Sequence, residues 1–161
     1  MSVSFGMNIS EIIEETIEGT IALHHGATIE QINDGLIIRG LELGFLHILS
    51  QEYQDLTPLA RDKFDYDPEN EKFFIRKDTK FKSQIEVRLR VRYYLLSYMR
   101  RMDHQNVRPT FDDIVLSIMP LLKNGITPEN QTILSVLASV AEPDTQGRWR
   151  LKRDGQGDFN F

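Results

Sequence analysis

The sequence predicts a mainly α-helical fold with a smaller β component, an α+β arrangement. Two N-terminal helices precede a β-hairpin, and a helix-turn-helix followed by a strand forms the C-terminal half. Apolar residues recur at helical spacing through most of the chain, and capping residues, prolines and glycines separate these apolar runs. With 161 residues, 40% of them hydrophobic, the chain is long enough for one compact domain or two small ones.

Composition excludes several functional classes. The chain has no cysteine, so it forms neither disulfides nor thiolate metal sites. It has no signal-peptide pattern and no apolar run long enough for a membrane span, so we expect a soluble cytoplasmic protein without a membrane partner. The net charge is −5 and unevenly distributed: before Pro58 nine acids face one arginine, Arg39, whereas residues 76–101 are predominantly basic.

The acidic N-terminal segment, residues 1–60, is expected to form two helices that serve oligomerisation or docking. The second runs from about Ile29 to Ser50, and Gly40 and Gly44 lie one turn apart in its interior. Each glycine costs about 1 kcal/mol there relative to alanine. Close packing against a helix of the same chain or of a second copy would compensate, so both glycines are candidate homodimer contacts. The predicted apolar face of this helix comprises Ile37, Leu41, Gly44, Phe45 and Ile48.

Several helix ends are predicted from capping residues. The expected caps are Asn8 or Ser10 for the first helix, Thr28 with Gln31 for the second, and Thr110 with Asp113 for a later one. Residues 64–75 contain two aromatic-rich arms on either side of Asp67-Pro68-Glu69-Asn70. Proline suits the second position of a type I turn. This stretch therefore predicts a β-hairpin.

The second predicted domain, residues 61–153, contains this hairpin and a winged helix-turn-helix. The remaining elements expected in it are Ser83–His104, Phe111–Leu122, Pro128–Ala141 and a basic strand, Gly147–Lys152. Pro120 should bend or shorten the last turn of its helix. A tight turn at Gly125 joins the last two helices, and a strand follows, which is the order of a winged helix. The glycine-rich tail, residues 154–161, is expected to be flexible.

In a winged helix that binds DNA, the third helix enters the major groove and its first residues contact base edges. The candidates here are Thr127, Asn130 and Gln131, of which asparagine and glutamine can bind adenine through two hydrogen bonds. The candidate phosphate contacts are Lys123, Arg148, Arg150, Lys152, Arg88 and Arg92. Against DNA binding, Glu129 repels phosphates and the third helix contains no lysine or arginine, so a protein-docking role fits equally well.

No residue cluster indicates catalysis, a metal or a cofactor. His24 and His25 are adjacent and point about 100° apart on a helix. His47 and His104 are isolated, and neither a phosphate-binding loop nor a His-Glu-x-x-His or nucleophile-elbow motif occurs. We therefore expect a protein that is not an enzyme.

Several stretches are similar to a known family. They are Arg61–Glu69, Phe73–Lys77, Pro109–Ile114, Leu121–Gly125, Thr127–Gln131 and Arg148–Leu151. Over roughly residues 35–152 the chain resembles the C-terminal region of large prokaryotic amino-methylating DNA methylases. Those enzymes carry an Asp/Asn-Pro-Pro-Tyr/Trp motif and a glycine-rich cofactor motif in another domain, and neither occurs here. The resemblance implies a stand-alone accessory region with no catalytic residue of its own.

Two hypotheses follow. The first is a non-catalytic winged-helix accessory protein of a DNA-modification or defence system, which binds double-stranded DNA or docks onto a DNA methylase or another nucleic-acid enzyme. The second is a protein-protein interaction module that homo-oligomerises through its N-terminal helices without binding DNA.

Overall fold

A computed structural model describes residues 8–76, 85–122 and 127–152. The chain forms two compact units, residues 1–79 and 80–161. Within the described residues it is mainly helical, with seven α-helices and two small antiparallel hairpins, which confirms the predicted mainly helical class. The first hairpin belongs to the N-terminal unit, so the boundary between the units falls after this hairpin rather than before it.

The N-terminal unit combines four helices with one hairpin. Its elements are α1 Ile9–His24, α2 Ile29–Leu43, α3 Leu46–Glu52, α4 Thr57–Lys63, β1 Asp65–Asp67 and β2 Lys72–Phe74. The α1 and α2 helices pack on each other. Asn8 caps α1 by accepting a hydrogen bond from the Glu11 amide at 2.8 Å, and Thr28 and Gln31 form the predicted capping box of α2.

The predicted second helix is divided in two by Gly44. This glycine adopts φ +81° and caps α2 in the left-handed conformation, and α3 begins two residues later. The predicted apolar face was wrong for Ile37 and Leu41, which are 47% and 66% exposed, but right for Phe45, which is buried. The buried residues of α2 are Ile32, Leu36 and Gly40, which lie one turn apart. Both sets recur at helical spacing in the sequence, and packing selects the second.

The hairpin of β1 and β2 confirms the turn predicted around Pro68. Tyr66 lies opposite Phe73 in an antiparallel register, and Asp67 accepts hydrogen bonds from the Glu69 amide and the Asn70 side chain. Phe73 also exchanges two backbone hydrogen bonds with Ala27, at 3.0 and 2.7 Å. These two bonds attach the hairpin to the connection between α1 and α2.

The C-terminal unit is arranged around one long helix. Its elements are α5 Val87–His104, α6 Phe111–Ile118, a 3₁₀ turn Met119–Leu122, α7 Asn130–Val140, β3 Ala141–Pro143 and β4 Trp149–Leu151. The α6 and α7 helices and β4 all pack against α5. The buried residues of α5 include Val91, Leu95, Leu96 and Met99.

Most predicted boundaries in this unit are close to the observed ones. The change from α-helix to 3₁₀ turn at Met119 agrees with the shortening expected from Pro120. The third helix begins at Asn130 rather than Pro128 and ends at Val140, since residues 141–143 form a strand that was not predicted. Ser83, the predicted start of the long helix, the turn at residues 123–126 and the tail after Lys152 lie outside the described residues.

Three extended segments lie side by side in the C-terminal unit. The β3 strand pairs antiparallel with β4, and an isolated bridge joins Thr110 to Arg148. The Trp149 amide donates to the Pro109 carbonyl at 2.8 Å. Trp149 and Leu151 are buried while Arg150 is exposed, as the alternation in the sequence predicted. The segment before α6 is therefore connected to β4, and β4 to β3.

Candidate nucleic-acid interface and apolar groove

The exposed face of α7 carries no charged side chain. Asn130, Gln131, Leu134 and Ser135 are all exposed. The opposite face buries Ile133, Val136, Leu137 and Val140, and the helix packs against α5. Leu134 is 42% exposed, because it lies one turn from Gln131, on the outer face.

One arginine flanks this face. The Arg88 side chain, on α5, is exposed, and its Nη2 donates to the Ser135 Oγ at 3.3 Å. Arg92, one turn further along α5, is only 5% exposed, so it is withdrawn as a candidate phosphate contact. Burial, followed by repulsion from Arg100, lowers the pKa of Arg92. The basic residues of α5 are therefore divided between surface and interior.

The basic residues of the second hairpin are engaged by acceptors of the same unit. Arg150 Nη2 lies 2.9 Å from Glu142 Oε2, directly across the two strands. Arg148 Nη1 donates to the Arg108 carbonyl at 3.0 Å, and Arg108 Nη1 lies 3.6 Å from Asp144 Oδ2. This surface is consequently less positive than the number of its arginines suggests.

Asp144 organises the tip of that hairpin. Its Oδ1 accepts hydrogen bonds from the Gln146 amide at 2.8 Å and the Arg148 amide at 3.0 Å. These bonds, the one to Arg148 first, lower the pKa of Asp144. The carboxylate therefore fixes the turn that leads to Arg148 and into β4.

The remaining predicted contacts are placed as follows. Thr127 is exposed and precedes α7, so it lies in sequence beside Asn130 and Gln131. Lys152 is half-buried, and its amide donates to the Val140 carbonyl at 3.0 Å. Lys123 lies outside the described residues. The structure thus brings Arg88 to α7 and places Arg148 and Arg150 on the hairpin that follows.

The two glycines predicted to form an oligomerisation surface occupy different environments. A Cβ atom on Gly40 would lie 3.1 Å from Leu49 Cδ1 and 3.3 Å from the Leu46 Cα. The close packing inferred from the sequence is therefore present, but its partner is α3 of the same chain, and Gly40 is buried. Gly44 is a helix cap with open space beside it. This packing removes Gly40 as a contact for a second copy.

An apolar groove that sequence reasoning missed lies in the N-terminal unit. Its volume is about 840 Å³, and α2, α3 and the segment before α4 form its walls. The apolar residues that line it are Leu36, Ile37, Leu46, Leu49, Tyr53 and Leu56. The sequence contained a signal for this groove, namely two apolar stripes on α2, of which one helix pairing can bury only one.

In residues 8–76, 85–122 and 127–152, no three histidine, aspartate or glutamate side chains gather closely enough to hold a metal ion. The helices in these ranges also lack the combined length and hydrophobicity that crossing a bilayer requires.

Comparisons of the chain with protein-family models, with curated protein sequences and with solved structures find no match.

Proposed function

We propose that the C-terminal unit is a winged helix-turn-helix and that the chain binds duplex DNA through it without catalysing a reaction. The element order supports the first part: α5, α6 and α7 are followed by the β3–β4 hairpin, which corresponds to the wing. The bridge between Thr110 and Arg148 and the hydrogen bond from Trp149 to Pro109 support it further, because they hold the wing beside the start of α6.

The observation that carries the proposed DNA binding is the uncharged outer face of α7 with Arg88 at its edge. Asparagine and glutamine side chains pair with base edges, and an apolar side chain such as Leu134 can contact a thymine methyl group. Arg88 would contact a phosphate beside the DNA major groove, since its guanidinium group is hydrogen-bonded to Ser135 on α7. Base contacts and phosphate contacts would thus come from adjacent positions.

The wing would supply the other phosphate contacts. The Arg150–Glu142 pair is exposed, at 46% and 45% of the side chains, so water screens it and a phosphate can replace the carboxylate at little cost. Four basic residues, Arg88, Arg148, Arg150 and Lys152, would then neutralise phosphates. The affinity should fall with salt with a logarithmic slope of about −3.6, from about −0.9 per contact.

The resemblance to the C-terminal region of amino-methylating DNA methylases favours the same proposal. In this interpretation the chain is a cytoplasmic accessory protein of a DNA-modification or defence enzyme, and DNA or that enzyme is its partner. Separate placement of DNA binding and catalysis would account for the basic residues of the wing and the amide side chains of α7.

Charge reversal on the wing tests this proposal. The double variant Arg148→Glu/Arg150→Glu should bind random-sequence duplex DNA at least about tenfold more weakly, with a salt slope smaller by about 1.8. The matched control is Arg61→Glu/Lys63→Glu, which makes the same change in net charge on exposed residues of the N-terminal unit. Fluorescence anisotropy gives both quantities, and thermal melting checks folding. Equal losses in both variants would refute a role for the wing.

A further inference from the structure

We propose that the α2–α3 groove, defined by Leu36, Ile37, Leu46, Leu49, Tyr53 and Leu56, binds an amphipathic helix of a partner protein through that helix's apolar face and basic flanks. The proposal concerns the N-terminal unit and is independent of DNA binding by the C-terminal unit.

Apolar side chains are exposed in and beside the α2–α3 groove. Ile37 and Leu46, which line the groove, are 47% and 36% exposed, and Ile38 and Leu41 continue the apolar surface along α2 with 59% and 66% exposure. A single exposed leucine or isoleucine is ordinary on a protein surface, whereas several on one short helix beside an apolar cavity mark an interaction site.

The shape of the α2–α3 groove suits a helix. Two helices and the segment before α4 form the walls of an open groove of about 840 Å³. Gly40 brings α3 close to α2, since its missing side chain leaves room for Leu46 and Leu49, both lining residues. A groove between helices suits the insertion of apolar side chains spaced at i, i+3 or i+4, and i+7 on another helix.

The excess of acidic residues in this part of the chain selects a basic partner. Residues 30–56 contain five acids and one basic residue, Arg39, and Arg39 pairs with Glu42 at 3.4 Å. Asp34 and Glu52 are exposed, and each adjoins a groove residue in sequence, Asn33 and Tyr53 respectively. Lysines or arginines on the flanks of the bound helix would complement these carboxylates.

The same charge disfavours a second copy as the occupant. A two-fold interface brings the same patch of both copies together. Asp34 and Glu52, whose chain neighbours line the groove, would then approach the same residues of the other copy, which opposes association. A basic helix from another protein meets no such repulsion.

Designed peptides of known chemistry test the proposal with the full chain. One peptide of about 18 residues, five helical turns, has leucines at the i, i+3, i+4 and i+7 positions and lysines elsewhere. A second replaces the lysines by glutamates, and a third has the first peptide's composition in an order without an apolar face. We expect the lysine peptide to bind at least about tenfold more tightly than either of the others, which corresponds to at least about 1.4 kcal/mol. Equal affinities for all three would overturn the proposal.

Matched variants locate the binding. Ile37→Ser should weaken the lysine peptide about tenfold, because an apolar anchor is removed. Leu116→Ser, at a position that is 75% exposed on α6, should leave it unchanged. The pair Asp34→Lys/Glu52→Lys should reverse the preference in favour of the glutamate peptide. Equal effects of Ile37→Ser and Leu116→Ser would contradict the location, and an unreversed preference would contradict the role of charge.

Light scattering without peptide distinguishes the competing occupant. The proposal expects the same mass for the unchanged chain and for Ile37→Ser. A dimer that Ile37→Ser converts to a monomer would overturn the proposal, because a second copy would then fill the groove.

Discussion

The two units expose helices of different chemistry. On α2 the exposed residues include Ile37, Ile38 and Leu41 in an acidic segment, whereas the outer face of α7 is mostly amide and hydroxyl groups with a single leucine, Leu134. Each helix buries its other side, so neither surface results from incomplete packing. Apolar surface near carboxylates suits a basic helix, and a neutral polar face beside Arg88 suits DNA. The two helices therefore differ in the chemistry of the surface they expose, and this difference is the basis of the two proposed interfaces.

The exposed face of α2 predicts the largest contrast between two like substitutions. Leu36→Ala, at a residue that is 1% exposed, should lower the free energy of unfolding by about 2–5 kcal/mol because it leaves a cavity. Leu41, on the same helix, is 66% exposed, so Leu41→Ala should change the free energy of unfolding by less than about 0.5 kcal/mol. Urea denaturation measures both. Similar losses would mean that Leu41 is covered and that the contrast between the units is wrong.

The glycines of the same unit sharpen this comparison. Gly40→Val should cost about 1–3 kcal/mol, since the added atoms meet Leu46 and Leu49. Gly44→Asn should cost less, because asparagine tolerates the left-handed conformation at φ +81° and no residue beyond its chain neighbours lies within 4 Å of the added Cβ. Thermal melting compares the two variants. A larger loss for Gly44→Asn would place the tight packing at the wrong glycine.

Capping boxes provide a comparison in which the units should agree. Thr28→Ala in the N-terminal unit and Thr110→Ala in the C-terminal unit each remove a hydroxyl that accepts a hydrogen bond from a backbone amide of the helix. The distance from the amide nitrogen to Oγ1 is 3.2 Å in both. Each should cost about 1 kcal/mol. Denaturation curves for the two variants measure the losses. A negligible loss for either one would show that its helix start is held by other contacts.

The pH dependence of stability differs between Asp113 and its neutral variant. Hydrogen bonds from Thr110, the backbone bond first, lower the pKa of Asp113 in the folded state. The carboxylate therefore stabilises the fold above its unfolded pKa of about 3.9, and this contribution is lost as pH falls through the lower folded value. Asp113→Asn should lose less stability than the unchanged chain between neutral pH and pH 3, as thermal melting would measure. Parallel curves would contradict the pKa shift.

The smallest expected effect concerns the wing. Glu142→Gln removes the partner of Arg150 and should change the free energy of unfolding by less than about 1 kcal/mol, since the pair is exposed. The freed guanidinium should tighten binding to random duplex DNA by about two- to fivefold. Anisotropy titration tests this, with Glu69→Gln on the first hairpin as the control. Equal effects of the two variants would mean that the change in net charge alone accounts for the tighter binding.

Local signals in the sequence predicted local structure well. The capping boxes at Thr28 and Thr110 and the turn at Pro68 depend on contacts between residues a few positions apart. The sequence contained these contacts in full, so their prediction required no knowledge of the tertiary fold.

Predictions that depended on tertiary packing were less successful. Two apolar stripes on α2 were compatible with its sequence, and only the partner helix determines that Leu36 is buried and Ile37 exposed. The same holds for α5, where nothing local distinguishes the exposed Arg88 from the buried Arg92. The apolar groove was missed for this reason, and its walls come from elements up to about twenty residues apart.

A titration of the intact chain with fluorescent random-sequence duplex DNA at low and moderate salt tests the central claim most directly. The account predicts saturable binding that weakens with salt, with a logarithmic slope near −3.6 for about four phosphate contacts. Absence of binding at low salt would contradict DNA binding by the C-terminal unit, whatever the α2–α3 groove binds.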